Sequence, residues 1–194
     1  MAVVDPNKTG GFRACETGKK VLAVVGIDKR KNKKDNQQYE VHYVCVKDLS
    51  APNGQDGDKG ADHWDRFILM DSVLFRLGQV MKAAGHTTPF DTDDSALISD
   101  VLSNCYIVGT ISSRVYEGET QYETARNGWA PYSGAEEPDW ADVIAKGVEG
   151  HEKLRAARKK ALGGGSSAGA AKPAARAPAD APSDGNGDDE GPMY

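Results

Sequence analysis

Two runs rich in β-branched and aromatic residues, KKVLAVVGID and QYEVHYVCVKDL, flank a polar, basic break, and this pairing constrains the fold more than any other stretch. The pattern predicts a strand over 19–29, a loop over 30–37 and a second strand over 38–48, joined as a long hairpin. SAPNGQDGDKGA (50–61) is dense in Gly, Asn, Asp and Pro and reads as a loop, followed by a third strand in DHWDRFILMD. From Ser72 the period lengthens. Val73, Leu74, Leu77, Val80, Met81 and Ala84 recur at helical spacing, so 72–84 is an amphipathic helix, capped by Asp71 or Ser72 and ended by Gly85.

A shorter helix is expected from Ser95 to Leu102. Strands follow at 105–116 and 120–127, with Glu117-Gly118-Glu119 as their turn. A last helix begins after Pro138 and runs to the triple glycine, weakened by Gly147 and Gly150. Its stripe of Trp140, Val143, Ile144 and Val148 must cover something, either its own sheet or a second copy of the chain. The expected fold class is therefore mainly β with helices. Five strands with a helix between the third and fourth is the order of an OB-like five-stranded barrel.

Residues 163–194 have a different composition. They hold no Val, Ile, Leu, Phe, Trp or Cys, and are expected to be a disordered Gly/Ala/Pro linker and acidic tail. Five acids against Lys172 and Arg176 give this tail −3 of the net charge of −5, leaving −2 on residues 1–162. The expected division is a barrel over 1–135, a helical extension over 136–162 and the tail over 163–194.

Cys15, Cys45 and Cys105 are far apart, odd in number and without CxxC spacing, which points to a reducing compartment rather than a disulfide framework or zinc site. No window reaches the length of a membrane span or a signal segment, so no membrane partner is expected. His42, His63, His86 and His151 are scattered, and no nucleophile–base spacing stands out. The expectation is a non-catalytic protein with no cofactor and no metal. Asp91, Asp93 and Asp94 can hold a hard metal in a nuclease, but read more simply as a helix-capping run.

The sharpest charge feature is DKRKNKK. Lys29, Arg30, Lys31, Lys33 and Lys34, expected at the hairpin tip, would repel one another unless a polyanion meets them, and phosphates are the obvious partner. Single strands also need flat rings to stack on. In the fourth strand Tyr106, Val108, Thr110, Ser112, Arg114 and Tyr116 share one face. Ile107, Gly109, Ile111, Ser113 and Val115 form the other, which looks like the core. Tyr122 and Arg126 share a face in the fifth strand. Phosphate contact is thus expected at the five cations, Arg114 and Arg126, and stacking at Tyr39, Tyr43, Tyr116, Tyr122 or Trp129.

Taken together, the basic hairpin, the Trp64-x-Arg66-Phe67 strand start, the helix ending at Gly85, the Tyr116/Gly118/Tyr122 hairpin and the NGWAP run at 127–131 resemble the OB-fold single-stranded DNA-binding proteins of bacteriophages. The resemblance covers roughly residues 10–135 and rests on element order. It implies sequence-independent binding of single-stranded DNA in replication and recombination, in the cytoplasm of the infected bacterial host. It also implies a tail that recruits replication or recombination proteins. There Asp184, Asp188, Asp189 and Glu190 would steer, and Met193 and Tyr194 would anchor. The chain ends Met-Tyr where the familiar bacterial ending is Pro-Phe. The alternative from another class is a protein–protein adaptor built on the same barrel.

Overall fold

The computed structural model describes residues 13–52, 55–103, 105–116 and 118–163. The tail positions named above lie outside them. Five strands and three helices follow in the order β1 (Gly18–Lys31), β2 (Gln37–Asp48), β3 (Asp62–Ile68), α1 (Leu74–Ala83), α2 (Ser95–Ser103), β4 (Tyr106–Tyr116), β5 (Glu119–Pro131) and α3 (Trp140–Gly163). The strands make one open antiparallel sheet ordered β3-β2-β1-β4-β5.

Both faces of β1 and β2 are covered, which explains why their sequences are apolar almost without alternation. On one face Leu22, Tyr39, Val41, Tyr43 and Cys45 pack with Leu77, Val80 and Met81 of α1 and Ile98 and Leu102 of α2. On the other, Val21, Ala23, Val25, Val44 and Val46 pack against Trp140 of α3, with Val143 and Ile144 beside it. The stripe of α3 therefore covers the chain's own sheet, although Val148 stays exposed.

Gly147 does not break α3. A Cβ there would stand 2.8 Å from Val25 Cγ1, so its absence lets the helix lie close on the sheet. Gly26 of β1 acts likewise, because a Cβ would stand 2.3 Å from atoms of the His151 ring.

The start of α1 differs from expectation. Val73, not Asp71 or Ser72, is its N-cap, and no side chain caps it. The Val73 and Leu74 N–H groups instead donate to the Met70 carbonyl. Its end is as expected: Gly85 has φ 91°, and the Gly85 and His86 N–H groups donate to the Lys82 and Met81 carbonyls as the C-terminal motif requires.

Two strand boundaries move. β1 extends through Lys31, which shortens the hairpin turn to 32–36, where the Asn32 side chain accepts the Lys34 and Asn36 N–H groups. β5 extends to Pro131 through a bulge in which Thr124 pairs with Ile111 but Trp129 with Gly109.

The outer strands β3 and β5 meet through side chains. Thr124 Oγ1 donates to Asp65 Oδ2 at 2.6 Å. Having given its only proton away, Thr124 accepts from His63 Nε2 at 2.9 Å. Arg76 of α1 adds a contact to Asp65 at 3.5 Å and donates to the Thr124 carbonyl at 3.3 Å.

Candidate functional site

Beside this seam a cleft of about 470 Å³ runs between β3 and the β4–β5 hairpin. Trp64 and Arg66 of β3, Arg76 of α1, Arg114 and Tyr122 of the hairpin and Arg158 of α3 all line it. Strand alternation explains the β3 pair. His63, Asp65 and Phe67 turn inward and are buried, so Trp64 and Arg66 face the other way. Trp64 is half-buried, its ring stacked on His42 at 3.9 Å with only 10° between planes, and the Arg158 guanidinium stands 5.4 Å from its centroid. Tyr122 is exposed. Acids are interspersed: Glu119 and Glu123 also line the cleft, and Arg114 pairs with Glu123 at 3.6 Å.

Behind the cleft lies a charged hub. Glu40 of β2 is 1% exposed and accepts hydrogen bonds from Arg30 of β1, Arg66 (3.3 Å) and Arg158 (2.8 Å). Deeper under α3, His42 Nε2 meets Asp62 Oδ1 at 2.6 Å and His42 Nδ1 meets His151 Nδ1 at 3.3 Å. Burial, then the neighbouring His42, lowers the His151 pKa below its ordinary value, and Asp28 opposes the shift.

Of the described residues expected to bind, the cleft gathers only Arg114 and Tyr122. Tyr39 and Tyr43 are corrected. Both are core residues, 1% and 0% exposed, and offer no open ring face. The Tyr39 hydroxyl donates to the Thr92 carbonyl, and burial drives the Tyr43 pKa well above its ordinary value. Trp129 is half-buried against Tyr43, ring centroids 5.4 Å apart, and packs on the core. Arg126 sits over the Phe75 ring of α1 at 5.2 Å, outside the cleft lining. The Tyr116 side chain lies outside the described residues. The alternation expected for β4 holds at Ile107 and Ile111 but fails at Val115, 74% exposed where the strand outruns the core.

The placement of the lysine run at the hairpin tip is corrected. Lys29, Arg30 and Lys31 belong to β1 and have acidic partners: Asp93, Glu40 and Asp35. The hydrogen bond to Asp93 raises the Lys29 pKa above its ordinary value. Their mutual repulsion is therefore offset within the molecule. Only Lys33 and Lys34 occupy the turn, both exposed.

Among the described residues no group of three His, Cys, Asp or Glu side chains is placed to hold a metal. Asp94 instead accepts the Leu97 N–H as the N-cap of α2, and Asp91 accepts the Asp93 N–H. No described helix is long and apolar enough to cross a membrane.

Trp64, Arg66, Arg76 and Arg158 are cleft rings and cations that the sequence pattern did not assign to the site. The alternation of β3 could have flagged the first two. Nothing local could have flagged Arg76, whereas Arg158 belongs to the basic run of 153–160 in α3; both reach the cleft only through helix docking. The chain matches no known family model, and a search of curated proteins finds no match.

Proposed function

We propose that the chain is a sequence-independent single-stranded DNA-binding protein with an OB-like barrel, serving phage DNA replication and recombination in a bacterial host. The observation that carries this reading is the cleft. Trp64 and Tyr122 supply rings, and Arg66, Arg76, Arg114 and Arg158 supply cations along one groove, the combination that binding a strand without reading its sequence requires. The barrel reading draws support from the strand order, since joining β3 to β5 would close a five-stranded barrel and their side chains already meet at Thr124. Lys33 and Lys34 extend the basic surface at the hairpin turn, while the acidic tail recruits replication or recombination proteins.

Glu119 and Glu123 in the cleft favour the second reading, an adaptor that binds polypeptide. Salt separates the two. Fluorescence-anisotropy titration of labelled oligo-dT at two salt concentrations, with a duplex of equal length as control, should give tight, salt-sensitive binding to the single strand alone. No binding at low salt would replace this proposal with the adaptor.

A further inference from the structure

The hub at Glu40 has more cations than its structure needs. One guanidinium is enough to neutralise a buried carboxylate, yet Arg30, Arg66 and Arg158 converge on Glu40 from β1, β3 and α3. A lone role in tying α3 to the sheet would be met by Arg158 at 2.8 Å. Each guanidinium carries five N–H donors, and the hydrogen bonds to Glu40 take one from each. Arg30 Nε is buried without a partner, but the three side chains keep 39%, 58% and 28% of their surface exposed. Three positive charges thus stand around one negative charge, and two of them, Arg66 and Arg158, line the cleft with Trp64.

We infer that Glu40 gathers Arg30, Arg66 and Arg158 into one fork that takes a single backbone phosphate of the bound strand. The inference rests on the single-strand reading of the cleft and deepens it. A phosphate is the fitting anion: planar guanidinium donors meet its oxygens in pairs, and a second anion offsets the excess charge that Glu40 leaves. Glu40 is then a positioning residue. It holds the arginines in place before the strand arrives and touches no ligand itself. A nucleotide whose phosphate sits on the fork has its base beside Trp64, so one step of the strand is fixed at this end of the cleft.

The test uses the full chain and labelled oligo-dT across a salt series. Each phosphate neutralised on a single strand contributes about 0.7 to the slope of log affinity against log salt. Arg66→Ala/Arg158→Ala, which leaves Arg30 on Glu40, should lower that slope by no more than about 0.7 if the fork holds one phosphate. A fall of about 1.4 would mean separate phosphates, and no fall would mean a purely structural hub; either overturns the inference while the single-strand reading stands. Glu40→Gln, with folding checked by circular dichroism, should weaken binding severalfold although it removes a negative charge. Tighter binding would make Glu40 a competitor of the strand and sink the positioning role. If the wild-type chain fails to bind oligo-dT at any salt, the single-strand reading falls and takes this inference with it.

Discussion

At the scale of single residues, tyrosine is the instructive case. Tyr39, Tyr43 and Tyr122 look alike in sequence, each in a strand beside a polar residue, yet the first two are core and the third is exposed at the cleft. The difference is coverage of both faces of β2, which period-two alternation cannot reveal because a strand buried on both sides has no polar face. Substitutions should separate them. Tyr122→Ala should weaken oligo-dT binding by about 1–3 kcal/mol, the worth of one stacked base, and leave the melting temperature in place. Tyr39→Phe should do the reverse: it removes the hydrogen bond to the Thr92 carbonyl, costs about 1 kcal/mol of stability and leaves affinity alone. Paired titrations and thermal melts check both, and a Tyr39→Phe chain that binds oligo-dT less well would contradict the core assignment.

At the scale of elements, most of the structure was legible. The helical period of Leu77, Val80 and Met81 gave α1, and the glycine after it gave the end; the N-cap of α1 and the bulge of β5 were not legible, because they depend on which backbone groups tertiary contacts leave free. Helix glycines show the same division. Gly78 in α1 faces open space, whereas a Cβ on Gly147 in α3 would crowd Val25 and Val44, both held in the core under Trp140. Gly78→Ala should therefore stabilise by up to about 1 kcal/mol through helix propensity. Gly147→Ala gains the same propensity but incurs about 1–3 kcal/mol of overpacking, so it should destabilise on balance. Denaturant midpoints that shift in the same direction for both variants would overturn the close docking of α3.

The docking of α3 should also depend on pH. His42 Nε2 meets Asp62, His42 Nδ1 meets His151 Nδ1, and His151 Nε2 faces Asp28 at 3.7 Å. Arg155 and Arg158 from α3 add positive charge, Asp28 and Asp62 add negative, and burial outweighs the acids, so the folded protein holds the His151 proton less readily than the unfolded chain does. A depressed histidine pKa means stability that is complete above the ordinary value of 6.5 and is lost as the pH falls below it. Urea denaturation across that range should show the loss, and His151→Leu should flatten it. A wild-type profile already flat on the acid side of 6.5 would remove His151 as its cause.

At the scale of the whole molecule, the element order was readable from sequence but the meeting of the outer strands was not. Turns and periods are local signals. The seam joins β3 to β5 across residues far apart in the chain, and its members His63, Asp65 and Thr124 carry no pattern that marks them as partners. The seam sets the cleft, because Trp64 and Arg66 lie on the strand that carries His63 and Asp65, and Tyr122 lies two residues before Thr124. Thr124→Val keeps the side-chain shape and removes only the hydroxyl. The Asp65 carboxylate, 3% exposed, then loses its shortest hydrogen bond and keeps Arg76 at 3.5 Å and His63 at 3.3 Å. A buried acceptor left short of a donor costs about 1–3 kcal/mol, so the denaturation midpoint should fall by an amount in that range. The ladders of β1, β2 and β4 do not depend on this hydroxyl, so the sheet should survive with its two edges less firmly held. Oligo-dT affinity should then drop in Thr124→Val although no residue of the cleft surface has changed, because the rings of Trp64 and Tyr122 are no longer fixed relative to each other. An unchanged midpoint would show that Arg76 and His63 alone hold the edges together. Unchanged affinity in a destabilised variant would show that the strand engages one side of the cleft and not both.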